Sequence, residues 1–270
     1  MNAVLGALAD GSVVAKRNLI HIKRVPDLLI GTLISPIMFI LLFAYVFGSA
    51  IPAPDGVNYR EWLVPGIFAQ TVIFGGTITG MGLATDMQKG IIDRFRSLPM
   101  AQPAVLIGRT SSDVVTNILT IAIMAATGLA VGWRIRTSIP EAVLGFALLL
   151  LFAYAVSWAM AYIGLLVRTP EAFQSLTFLT VFPVTFIANT FVPIDNFPTV
   201  LKVVADWNPV SSLVLATREL FGNVGPAGLV RAPEAWSLQH PVAYTLIWVA
   251  LILLVFVPVA SRQYKRATSR

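Results

Sequence analysis

The sequence predicts an all-α polytopic membrane protein with six transmembrane helices. Three observations predict it. Only 12% of the 270 residues are charged and 57% are hydrophobic. An ordinary soluble domain is roughly 25% charged, so a soluble fold of this size would lack the groups to cover its surface. Cutting the chain at every Asp, Glu, Lys and Arg leaves six charge-free runs of at least 20 residues: 28–54, 62–85, 114–133, 142–167, 172–194 and 235–261. They hold 147 of the 270 residues, and a bilayer core takes about 20 apolar residues per helical span. The mean hydropathy, +0.80, agrees.

The whole chain, 1–270, reads as a single transmembrane domain. Residues 1–27 form a cytoplasmic tail, in which 11–25 reads as an interfacial helix. On a helical wheel Lys16, Arg17, Lys23 and Arg24 fall within about 120°, with Val14, Leu19 and Ile22 opposite. This is not a cleavable signal. Asp10 and four basic residues precede an apolar run of 27 residues, where a signal core has roughly 7–15.

The spans cover about 28–50, 63–86, 104–132, 140–166, 172–193 and 242–261. The segment 87–103 between spans two and three begins as a short amphipathic helix. Met87, Ile91, Phe95 and Leu98 fall within about 80° of one another, with Lys89, Asp93 and Arg96 on the other side and Arg94 at the edge. Pro99 stops that helix and Pro103 restarts the chain toward span three. The link 167–171 is short, so spans four and five form a tight hairpin. The external connection 194–241 is long and proline-rich, with apolar stretches at 197–205 and 210–217. Non-helical backbone at membrane depth must be buried or face water, so a pair of re-entrant or interfacial helices is expected there. Trp207 and Trp236 suit the headgroup zone.

Charge sets the orientation. With both termini cytoplasmic, the inner side holds 13 of the 19 basic residues; Arg60, Arg134, Arg136, Lys202, Arg218 and Arg231 make the 6 outside. The positive-inside bias favours that arrangement, with the Arg134/Arg136 pair as the local dissent.

Composition excludes several functions. There is no cysteine, so thiolate metal sites and cysteine nucleophiles are ruled out. The two histidines, His21 and His240, are far apart and the carboxylates are scattered, so no metal site is expected. No Gly-Lys pair occurs, hence no P-loop and no ATP site of the chain's own. The net charge of +6 belongs to basic residues flanking spans and not to nucleic-acid binding.

Polar and small residues mark the spans. Arg109, Asp113 and Asn117 are spaced four apart and share a face of span three. Carboxylates in membrane spans are usually paired, so a structural Arg109–Asp113 pair is favoured over a proton or substrate site. Gly76/Gly80 and Gly128/Gly132 are GxxxG pairs expected to let helices approach closely.

Several stretches taken together resemble the permease subunits of type-two ATP-binding-cassette exporters, in the daunorubicin/doxorubicin resistance branch. They are Tyr59-Arg-Glu-Trp-Leu-Val-Pro65-Gly66, Lys89-Gly-Ile-Ile-Asp93-Arg94-Phe-Arg96-Ser-Leu-Pro99-Met, Phe191-Val-Pro193-Ile-Asp195-Asn-Phe-Pro198, Trp207-Asn-Pro209-Val and Ala216-Thr-Arg218-Glu-Leu. The second is the most specific. Order and spacing fit from about residue 15 to the C-terminus, with Gln102 where relatives often carry a basic residue. The resemblance implies a six-span plasma-membrane permease that pairs with a second, identical permease chain and with two copies of a separate ATPase, which bind ATP and Mg. It implies that 87–99 is the coupling helix, with Met87, Lys89, Ile91, Asp93, Arg94, Phe95, Arg96 and Leu98 against the ATPase, and that 194–241 forms external re-entrant helices. Relatives export hydrophobic drugs, lipids, glycolipids or polysaccharides; the substrate and its contact residues stay open.

Two other functions compete. A proton-coupled secondary transporter calls for several mid-span acids, and only Asp113 lies near a span end. It also commonly shows an internal inverted repeat, and none is visible. An intramembrane enzyme calls for a cluster of His, Asp or Glu at one face, and none is evident.

Overall fold

The computed structural model describes residues 26–47, 57–91, 104–194, 197–225 and 234–267. Regular structure among them is helical throughout. The helices are α1 (Pro26–Leu41), extended by a π-helical turn Leu42–Phe47, α2 (Tyr59–Gln88), α3 (Ala104–Val131), α4 (Ile139–Leu166), α5 (Pro170–Ile187), α6 (Thr199–Asp206), α7 (Pro209–Phe221), α8 (Trp236–Gln239) and α9 (Pro241–Ala267). The interfacial helix read at 11–25 lies outside the described residues.

Four of the described helices are long and apolar enough to cross a membrane: Tyr59–Gln88, Leu106–Val131, Ile139–Leu166 and Pro241–Arg266. They match the second, third, fourth and sixth spans read from the sequence. The first and fifth correspond to shorter helices. α5 has 18 residues, about 27 Å at 1.5 Å per residue, slightly less than the roughly 30 Å hydrocarbon core. The sequence reading carried this helix to 193. The chain instead leaves it at Ala188 in an extended conformation, and Asn189 and Thr190 present their carbonyls to Arg218.

Helix ends follow local chemistry. Asn58 accepts from the Arg60 N–H at the start of α2. At the start of α4 the Glu141 carboxylate accepts from the backbone N–H and the hydroxyl of Ser138. Thr169 and Asn208 cap α5 and α7, each followed by proline in the first turn. α7 ends at Gly222, whose φ of +70° only glycine adopts without strain.

α2 is the hub, packed against α1, α3, α4, α5 and α7. Its Leu63, Val64, Ile67, Phe68 and Val72 pack with Leu149, Phe152 and Ala153 of α4 and Leu213, Val214 and Phe221 of α7 in the main core. A second cluster at the opposite end joins Leu83, Leu106, Trp158, Ala161, Leu165, Ala260 and Tyr264, and so ties α2, α3, α4 and α9 together. Large apolar side chains also face outward, among them Leu254 at 76% and Leu179 at 73% exposed. Such a surface is stable against lipid and would aggregate in water.

Candidate functional site

The C-terminal end of α2 is the first region of interest. α2 closes at Gln88, the Lys89 N–H donates to the Thr85 carbonyl, the Gly90 N–H donates to the Met87 carbonyl, and Gly90 has φ +64°. That is a glycine-terminated helix end. It corrects the reading of one amphipathic helix running from Met87. Met87 and Lys89 belong to the end of α2, and Ile91 follows a turn, so Met87 and Ile91 do not share a continuous helix face. Met87 packs on the Leu83–Leu106–Trp158–Tyr264 cluster. Asp93, Arg94, Phe95, Arg96 and Leu98 lie outside the described residues.

The second region is the face between α2 and α3. Arg109, Asp113 and Asn117 do share a face of α3, but the ionic pairing differs from the sequence reading. Arg109 Nη1 bonds Asp86 Oδ2 at 2.9 Å, with both side chains less than a fifth exposed. Asp113 instead accepts the hydroxyl of Thr79. A carboxylate from the neighbouring helix competes for the arginine, and Asp86 is one that spacing along span three does not reveal. Two glycines of α2 make room for this face. A Cβ at Gly75 would stand 2.5 Å from Asn117 Oδ1, and one at Gly82 would run into the Arg109 guanidinium.

Gly76 and Gly80 point the other way. A Cβ at Gly76 would meet Val156 Cγ1 at 2.9 Å; one at Gly80 would meet the Met160 carbonyl at 2.5 Å and the Phe173 ring. Gly164 of α4 rests against the Gly80 backbone. Gly128 lies against Val64 of α2, with a virtual Cβ 3.0 Å from Val64 Cγ1. Gly132 differs from its expected packing role. It follows α3, has φ +109°, and has no atom within 4 Å of a virtual Cβ. Its glycine serves the turn.

The third region, at the far end of α2, was not singled out as a site. Arg218 of α7 is 1% exposed. Its Nε donates to the Trp62 carbonyl at 2.7 Å and its Nη2 to the carbonyls of Asn189 at 2.8 Å and Thr190 at 3.3 Å. Its guanidinium lies 3.6 Å from the centre of a Trp62 ring. Beside it Tyr59 donates to the Phe191 carbonyl at 3.1 Å, and Gly66 allows Thr190 to approach α2. The α3–α4 turn is locked on by the Trp133 indole N–H to Asn223 Oδ1 at 2.7 Å and by Asn223 Nδ2 to the Arg134 carbonyl at 2.8 Å. Arg136 and Glu61 form a bidentate pair with both bonds at 2.7 Å. The Glu61 carboxylate raises the Arg136 pKa above its ordinary value.

An aromatic strip runs along α5 and crosses to α1. Phe178, Phe182 and Phe186, one turn apart, stack at 4.8 and 4.0 Å between centroids. Phe186 contacts Phe191 at 5.2 Å, which stacks on Phe43 at 4.5 Å. The spacing of the first three was legible in the sequence; the step to Phe43 was not. Among the described residues no group of three or more His, Asp or Glu is placed to hold a metal ion.

A helical bundle with several membrane-length helices, apolar outer faces and internal polar contacts between helices defines a multi-pass membrane protein. The chain matches the ABC-2 type transporter family over residues 11–221, and it belongs to that family. It is 32% identical over 249 residues to the daunorubicin resistance ABC transporter permease protein DrrB1 of Streptomyces coeruleorubidus, covering 92% of this chain and 83% of that protein. It is 31% identical over 165 residues to the doxorubicin resistance ABC transporter permease protein DrrB of Mycobacterium tuberculosis, covering 56% of each.

Proposed function

We propose that this chain is the membrane-spanning subunit of an ATP-binding-cassette exporter, moving a hydrophobic or amphipathic drug, lipid or glycolipid out across the plasma membrane. The observation that carries this is the match of nearly the whole chain to a daunorubicin resistance permease at 32% identity. ATP and Mg bind to two copies of a separate ATPase, since this chain has no P-loop. Two permease chains assemble, each with six spans and both termini inside, and α1 and α5 count as the first and fifth. α6 and α7 enter the outer leaflet from outside. What supports the orientation is the 13-to-6 distribution of basic residues. Energy enters through 87–99, the segment that leads from the end of α2 toward α3. The stacked rings of Phe178, Phe182 and Phe186 offer planar aromatic contacts to a substrate.

Inside-out vesicles holding the permease and its co-expressed ATPase test this reading. Doxorubicin uptake should require hydrolysable ATP, survive a proton ionophore, and accompany co-purification of the two chains. Uptake driven by a proton gradient without ATP would replace this reading with a secondary transporter.

A further inference from the structure

Four contacts between α2 and α3 fall in strict antiparallel order. Gly75 faces Asn117, Thr79 faces Asp113, Gly82 is crossed by Arg109, and Asp86 pairs with Arg109. Glycine on α2 meets a long side chain on α3, and a side-chain bond follows at the next turn. Bonds of this kind fix one register, because a shift by one residue breaks each of them. The opposite face of α2 is built differently. There Gly76 and Gly80 meet Val156, Met160 and Gly164 of α4 through small, non-directional contacts, and no ion pair between α2 and α4 occurs among the described residues. α2 is therefore tied to α3 by side-chain bonds along this face, and meets the helix α4 itself through close small-residue packing. Residues 89–103 join α2 to α3, so both arms of the ladder leave the same cytoplasmic segment.

We propose that the ladder formed by Gly75, Thr79, Gly82 and Asp86 with Arg109, Asp113 and Asn117 makes α2 and α3 one lever, which carries movement of the cytoplasmic segment between them into the membrane. These are positioning residues: they touch one another and transmit displacement through helices that move against α4. A chain of packed and bonded groups with a defined register is the physical requirement for such coupling. The inference rests on the functional reading above, in which work enters at 87–99.

Two sets of variants test it in vesicles with the ATPase, using doxorubicin as the transported probe. Asp86→Asn and Arg109→Gln each break the ion pair. Each should retain ATPase binding and ATP hydrolysis yet lower export per ATP about tenfold, a usual size for coupling between linked sites. The exchange Asp86→Arg with Arg109→Asp should recover export. The second set uses the absence of native cysteine. Val64→Cys with Gly128→Cys places a disulfide across α2 and α3, since Val64 Cγ1 lies 3.0 Å from a virtual Gly128 Cβ, and bridged Cβ atoms stand about 3.5–4.5 Å apart. Oxidation should leave export intact, because helices that move together tolerate a bond between them. Export lost on oxidation and restored by reductant overturns the lever, and so does wild-type export by both single variants. ATP-dependent uptake by the unmodified chain is scored separately, so failure of the functional reading is distinguishable from failure of the lever.

Discussion

Replacing Arg218 should destabilise the protein in an order that reveals what holds it. Arg218→Met keeps much of the length and removes the charge. It forfeits two short charge-assisted bonds, to Trp62 and Asn189 at 2.7 and 2.8 Å, each at about 1.5–3 kcal/mol. It also loses the stacking on Trp62 at 3.6 Å, about 2 kcal/mol when desolvated. Against that, the variant no longer buries a cation, which relieves several kcal/mol. The balance is a loss of about 3 kcal/mol, or a Tm lower by on the order of 6–12 °C for a chain of this size. Arg218→Lys keeps the burial cost, but a single ammonium cannot bond both sides as the fork does. It should be no more stable than Arg218→Met. The assay is thermal unfolding in lipid nanodiscs, followed by tryptophan fluorescence and by retention of a monodisperse peak. A Tm for Arg218→Met within roughly 2 °C of the parent, about 0.5–1 kcal/mol, would refute the reasoning. So would a fully stable Arg218→Lys.

Gly80→Val, driven against the Met160 carbonyl and the Phe173 ring, should cost about 3 kcal/mol by overpacking, seen as loss of monodisperse protein after extraction. Gly132→Ala meets open space but carries φ +109°, so its cost should be about 1 kcal/mol from backbone strain alone, read by the same unfolding assay. A cysteine replacing Val200, 76% exposed on α6, should react with an impermeant thiol reagent from outside intact cells; reaction only after permeabilisation reverses the topology. Phe182→Ala should lower doxorubicin export while leaving ATPase assembly unchanged, and unaltered export would remove the aromatic strip from the substrate path.

Helix existence was legible in the sequence because charge-free runs and capping residues are local signals. The ends of α2, α3 and α4 fall close to the positions read from charge and proline. What was not legible is the competition between partners distant in sequence. Arg109 has Asp113 one turn away on its own helix, yet bonds Asp86 from 23 residues upstream. Thr79 then satisfies Asp113, and no spacing rule on one helix could report either choice. The end of α5 shows the same thing. Its apolar run continues to 194, but carbonyls taken by Asn208 and Arg218 end the helix at Ile187. Gly90 is the opposite case. A glycine one residue past a basic helix end is a readable stop signal, and the amphipathic pattern across it hid the break.

The arginines that dissent from the positive-inside count have a common explanation in helix chemistry. A helix leaves unsatisfied carbonyls, and partial negative charge, at its C-terminal end. α3 ends beside Arg60, Arg134 and Arg136. Arg134 donates to the Leu129 carbonyl at 2.6 Å and Arg60 to the Val131 carbonyl at 3.3 Å. Arg218 does the same for the chain leaving α5, and Arg136 is paired with Glu61. In the proposed topology α3 and α5 both run outward, so their carbonyl ends lie at the outer surface and call for cations there. Four of the six basic residues assigned outside are thus bound to local acceptors. They carry less weight as topological signals than basic residues in a loop with no such acceptor.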